Sequence, residues 1–201
     1  MAAELEIGGG LTDEELVVSV RAGDTGSLGQ LVARWERPLY RFVFRMLPRP
    51  EDAQEICQET FLRVLKKAHR FREGSRFSTW MYQIALNLCR DRMRKRRRWS
   101  RVMDESREID ERIDAATGSA AVDGDPSAGI ERRERSAAVL AALERIPVEQ
   151  REVLVMKEFE GLKFREIAEI LDCPESTVKS RMYYGLNGLR TVLVRRGIDG
   201  A

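Results

Sequence analysis

The sequence predicts an all-α protein of two small helical domains joined by a flexible acidic linker, and three observations carry that expectation. Apolar residues recur at spacings of three and four over most of the chain, with no competing strand alternation or internal repeat. Charged residues make up 34% of the 201 residues and aromatics 7%, a balance suited to solvated helices rather than to sheets. One stretch, about 101–129, is small, acidic and aperiodic, and divides the periodic runs into two sets. The expected organisation is a lead-in with a short helix over 1–24, a first domain over 25–100, the linker over 101–129 and a second domain over 130–196.

Residues 1–10, ending in three glycines, read as a flexible lead-in. Thr12 and Glu15 have capping-box spacing, and Leu16, Val17 and Val20 follow on one face of a helix that stops near Gly23. From Ser27 to Leu47 a core-facing stripe runs through Leu28, Leu31, Val32, Trp35, Leu39, Phe42, Val43 and Met46, with Pro38 predicting a kink or break. The next run, Ala53 to Leu65, starts after Pro50 and ends near Ala68, acidic early and lysine-rich late as the helix dipole favours. Ser78 is the expected N-cap of a further helix carrying Trp80, Met81, Ile84, Ala85, Leu88 and Cys89 inward. In the second domain Val139, Leu140, Leu143 and Ile146 form a stripe that Pro147 ends, and helices are expected over 148–159, 163–171 and 176–194.

The formal charge of +2 hides an asymmetry. Arg90 to Arg101 holds eight basic residues and one acidic, whereas Asp104 to Asp125 holds eight acidic and two basic. The basic tract suits phosphates. Cys57, Cys89 and Cys173 are scattered and odd in number, which suggests neither a disulfide framework nor a zinc site but buried thiols in a reducing compartment. No basic N-terminal segment precedes an apolar run, and about 18 apolar residues never follow one another, so the expectation is a cytoplasmic protein without membrane contact. A single histidine, His69, and no clustered metal-ligand or nucleophile pattern argue against an enzyme and against a metal or other cofactor.

Residues 162–189 read as a helix-turn-helix, the motif that places its second helix in the DNA major groove. Ala168 is the small residue where the helices meet, Asp172 the turn residue tolerant of positive φ, and Val178 the branched anchor of the second helix. Pro174 stops the preceding helix, and Ser176 or Thr177 is the expected cap of the next. Ser176, Thr177, Lys179, Ser180 and Arg181 then occupy its DNA-facing turns, with Arg181 suited to a guanine edge and Lys179 to phosphate. In the first domain, Arg70 to Tyr82 interleaves basic and aromatic residues, which suits stacking on unpaired bases or, alternatively, closing the core.

Two ordered motif sets make the pattern specific. Glu51-Asp-Ala-Gln-Glu-Ile-Cys-Gln-Glu-Thr-Phe-Leu-Arg63, Phe71 to Tyr82 and Ile84-Ala-Leu-Asn87 resemble region two of the sigma-70 family, and Glu166 to Arg181 resembles region four. Nothing similar to regions one or three accompanies them, as in the extracytoplasmic function (ECF) group. The resemblance implies a subunit that binds core RNA polymerase, directs it to promoters and helps open the duplex. Asp52, Glu55, Gln58 and Glu59 would dock on the β′ clamp helices, with further contacts to the β subunit. Phe71, Arg76, Ser78, Trp80, Asn87, Arg90 and Arg94 would take the minus-ten element as a single strand, and the Ser176–Arg181 set the minus-thirty-five element as a duplex. An anti-sigma factor is a further partner compatible with this resemblance. The rival reading is a regulator that binds its operator alone and uses the first domain for dimerisation or sensing; dependence on polymerase separates the two.

Overall fold

The computed structural model describes residues 10–72, 74–104 and 126–196. Among the described residues the secondary structure is entirely helical, and the chain divides into two compact units. The lead-in over 1–9 and most of the expected linker, 105–125, lie outside the described residues; its two ends belong to helices.

The first unit holds α1 (Asp13–Arg21), α2 (Thr25–Met46), α3 (Pro50–Lys67) and α4 (Phe77–Asp104), with a 3-10 turn over Ala68–Arg70. The capping box forms: the Thr12 N–H donates to Glu15 Oε2 at 2.7 Å, and the Glu15 N–H donates to Thr12 Oγ1 at 3.3 Å. These bonds hold the Glu15 carboxyl below its ordinary range. Asp24 caps α2, accepting from the Gly26 N–H at 2.9 Å and the Ser27 hydroxyl at 2.6 Å. The break expected at Pro38 does not occur. Proline removes one ladder donor, and α2 runs on through it between the buried Leu31 and Leu39. Leu16, Leu31, Phe42, Val64, Phe77 and Met81 are fully enclosed and form the centre of this core.

The start of α4 differs from expectation. The helix begins at Phe77, so Ser78 lies inside its first turn and cannot cap it. The Phe77 N–H instead donates to Glu14 Oε1 of α1 at 2.8 Å.

The second unit holds α5 (Pro126–Leu143), α6 (Val148–Leu154), α7 (Phe164–Leu171) and α8 (Glu175–Arg195). A π-helical turn over Val155–Phe159 continues α6, closing on Gly161 at a φ of +68°. Val153, Val155, Met156, Ile167 and Val178 are fully buried. Gly185 sets how closely α8 approaches α6, because a Cβ there would stand 3.0 Å from Leu154 Cδ1.

Candidate functional site

In the helix-turn-helix, Asp172 takes the left-handed conformation with φ 51° and ψ 52°. The Cys173 N–H then donates to the Ala168 carbonyl at 3.1 Å, closing α7. Val178 is fully buried and anchors α8, as its position in the motif requires. Neither Ser176 nor Thr177 caps α8. The helix starts at Glu175 with Pro174 in the cap position, because a proline's extended φ and ψ suit a helix entrance without any side-chain bond.

Counting 100° per residue from the buried Val178, Met182 and Gly185, the outward face of α8 carries Ser176, Ser180, Tyr183, Tyr184 and Asn187. Ser176 and Ser180 are exposed, whereas Thr177 and Arg181 are half-buried on its flank. Lys179 is exposed on the other flank, 3.7 Å from Glu175 and 5.9 Å from the Phe164 ring centroid. Tyr183 and Tyr184, 64% and 61% exposed, escaped the sequence reading, although their place one turn beyond Ser180 was a usable signal.

In the first unit the expected strand-binding residues fall into two classes. Phe71 is buried and packs its ring 5.3 Å from that of Trp80, which also meets Phe77 at 6.4 Å. Trp80 and Ser78 are half-buried, and Arg76 is exposed. The loop between turns at Gly74, where φ is +81°. Further along α4, Asn87, Arg90 and Arg94 follow at spacings of three and four on one stripe, Asn87 and Arg94 exposed and Arg90 half-buried.

Arg92 and Arg96 occupy a second stripe of α4 and turn to α3. Arg92 Nη1 donates to Asp52 Oδ1 at 2.8 Å and also pairs with Glu55. Arg96 Nη2 lies 3.0 Å from Asp52 Oδ2, an ion pair without hydrogen-bond alignment. The hydrogen bond from Arg92 holds the Glu55 carboxyl below its ordinary range, and Glu55 in turn raises Arg92. Asp52 thus stands apart from the other acids of α3: its side chain is 11% exposed and faces α4. Glu55 and Gln58 are exposed, and Glu59, half-buried, pairs with Arg63 at 2.8 Å, which lowers its carboxyl. These three line a groove of about 410 Å³ between α3 and α4, with Leu62, Asp91 and Arg94 on its other parts. The sequence reading passed over Arg92 and Arg96, though their i,i+4 spacing marked a shared stripe.

Among the described residues no helix is long and apolar enough to cross a membrane, and no group of three or more potential ligands could hold a metal ion.

Two family models match the chain: Sigma-70 region 2 over residues 31–99 and Sigma-70, region 4 over residues 136–187. The ECF RNA polymerase sigma-E factor of Haemophilus influenzae is 31% identical over 173 residues, covering 86% of this chain and 90% of that protein. The RNA polymerase sigma-H factor of Pseudomonas aeruginosa is 29% identical over 171 residues, 85% of this chain and 88% of its own length. Among solved structures, the sigma factor RpoE of Bartonella quintana, in complex with the anti-sigma factor NepR, superposes with a TM-score of 0.64 at 23% identity. That likeness covers 86% of this chain and 98% of the other, and it is one of fold. With both regions matched in order and relatives aligned over nearly their whole length, the chain belongs to the sigma-70 family, as an RNA polymerase sigma factor of the ECF group.

Proposed function

We propose that this sigma factor divides promoter recognition among three surfaces once it is bound to core polymerase. Glu55, Gln58 and Glu59, on the exposed side of α3, dock on the β′ clamp helices, with the β subunit engaged elsewhere. Asp52 supports that surface from behind through Arg92 and Arg96.

Arg76, Ser78 and the accessible edge of Trp80, together with Asn87, Arg90 and Arg94, take the non-template strand of the minus-ten element. Phe71 acts there through the Trp80 ring it supports. Binding the separated strand better than the duplex supplies the free energy for melting, since a ligand shifts an equilibrium only by its differential affinity. The outward face of α8, with Ser176, Ser180, Tyr183 and Tyr184 centrally and Thr177, Lys179 and Arg181 flanking, enters the major groove of the minus-thirty-five element. The protein itself makes and breaks no covalent bond. It acts in the cytoplasm, and an anti-sigma factor is a fitting partner, since the RpoE structure pairs a sigma factor with one.

The observation that carries this reading is the sorting of arginines on α4. Arg92 and Arg96 are ion-paired to Asp52 of α3, whereas Asn87, Arg90 and Arg94, the last paired with Asp91 of its own helix, lie on a different stripe of the helix that begins at the basic and aromatic loop. Reconstitution with core polymerase tests it: promoter binding and permanganate-reactive thymines are expected only when polymerase is present. Tight, sequence-specific binding by the purified protein with no polymerase association would overturn it.

A further inference from the structure

We infer that Glu14 is a positioning residue for promoter opening: from α1 it caps α4 and so fixes the loop and first helical turn that hold the opened strand. The inference rests on the proposed role of that loop.

A helix start leaves amide N–H groups that need acceptors, and the nearest side chain usually supplies one. At the start of α4 the cap position is Arg76, which has no acceptor, and Ser78 comes two residues too late. The need is met from 63 residues away. Glu14 Oε1 receives the Phe77 N–H at 2.8 Å, and as a carboxylate at a helix N-terminus it also opposes the positive end of the α4 dipole.

Glu14 can hold this position because α1 is itself tied down beside it. Asp13 Oδ1 accepts from Arg34 Nη1 at 2.9 Å and its Oδ2 from Trp35 Nε1 at 2.8 Å, while Arg34 also reaches the Leu11 carbonyl at 2.9 Å. Trp35 then meets the Phe77 ring edge-on at 5.9 Å and the Tyr82 ring at 6.1 Å. Residue 77 is therefore gripped twice from the same side, by its amide through Glu14 and by its ring through Trp35. It lies directly between Arg76 and Ser78, and its ring touches Trp80. Release of the amide removes one of the two grips on residue 77, the residue between Arg76 and Ser78 whose ring meets Trp80.

The test uses holoenzyme reconstituted with Glu14→Ala and Glu14→Gln full-length chains. A glutamine oxygen still accepts the Phe77 N–H, so it should restore most of what alanine removes. With Glu14→Ala, permanganate-detected opening of a duplex promoter is expected to fall about five- to tenfold, the scale of a lost helix cap amplified over one capture step. Binding of a minus-thirty-five duplex should stay unchanged, and opening by Glu14→Gln should recover to within about twofold of the parent. Arg76→Ala serves as the reference for the loop. If Arg76→Ala impairs opening and Glu14→Ala does not, the inference fails while the role of the loop stands. If neither impairs opening, the role of the loop fails first. Equal losses for alanine and glutamine in opening and in thermal stability would reduce Glu14 to a general fold contact and would also overturn the inference.

Discussion

In the α1–α4 unit the rings assigned to the opened strand, Phe71 and Trp80, grow out of the hydrophobic core, whereas in the α5–α8 unit the central residues assigned to the duplex stand on the exposed face of α8. Phe71 and Phe77 are buried and share ring contacts with Trp80. Ser176, Ser180, Tyr183 and Tyr184 are exposed, and α8 is anchored instead by Val178, Met182, Gly185 and Leu193 on its other side. On the proposed division of the promoter, the difference follows from what each surface would meet. A duplex presents a groove already shaped to receive a helix, so short polar side chains on a rigid cylinder suffice. An unstacked base needs a firm platform, and a ring is firm when the core holds its other face. The first arrangement binds function to stability and the second separates them.

The largest effect should come where the two are joined. Phe71→Ala removes a buried ring and the support of Trp80, and is expected to destabilise the first unit by about 3 kcal/mol. Strand capture should fall with it. Chemical denaturation of the full chain, followed by tryptophan fluorescence, checks the stability term. A Phe71→Ala protein of unchanged stability that still lost opening would place Phe71 on the surface side of the comparison.

Next is the seam between α3 and α4. Asp52→Ala leaves Arg96 without its α3 partner and Arg92 with Glu55 alone, and should cost about 1–2 kcal/mol. Because Glu55 then competes less well for a polymerase partner, affinity for core should fall as well. Titration of labelled protein against core polymerase reads this directly. A variant that loses stability but binds core normally would show that the seam serves the fold alone.

How much of this was legible in the sequence depends on the range of the contact. The capping box at Thr12, the stripes of α2 and α3, and the turn from Ala168 through Asp172 to Val178 lie within one or two helical turns, where spacing determines neighbours. The cap of α4 is not legible locally: Ser78 has the chemistry of an N-cap, yet the acceptor that meets the first amide, Glu14, sits on another helix, and no local pattern encodes it. Ser176 and Thr177 have the right chemistry for a cap, yet Pro174 sets the backbone entrance two and three residues earlier. The inward turn of Asp52 likewise needed α4 to be placed against α3 before Arg92 and Arg96 could claim it.

In the second unit, a stabilising change is available at Asp172. With φ at 51°, any residue with a Cβ is mildly strained there, and Asp172→Gly should raise the stability of that unit by about 1 kcal/mol. Thermal unfolding monitored by circular dichroism measures it. The same change should leave minus-thirty-five affinity within about twofold, since no α8 side chain depends on Asp172 for its position. A large change in affinity would show that the turn itself touches DNA.

The smallest stability effect and the sharpest test of the comparison lie at Ser180. Its hydroxyl donates to the Thr177 carbonyl at 2.9 Å, a bond within its own helix that leaves nothing buried and unsatisfied when removed. Ser180→Ala should therefore change unfolding by less than about 0.5 kcal/mol, and alanine's helix propensity offsets even that. Yet Ser180 stands at the centre of the outward face, so the same variant is expected to weaken holoenzyme binding to a minus-thirty-five duplex severalfold and to relax discrimination at the base pair beneath it, where a good contact is worth about 1–3 kcal/mol. A base contact and a phosphate contact separate by salt: loss of a neutral hydroxyl should leave the slope of log affinity against log salt unchanged, whereas Lys179→Ala should reduce it by about 0.9. If Ser180→Ala instead lowered stability as Phe71→Ala does, the α8 face would be part of the core after all, and the two units would be built alike.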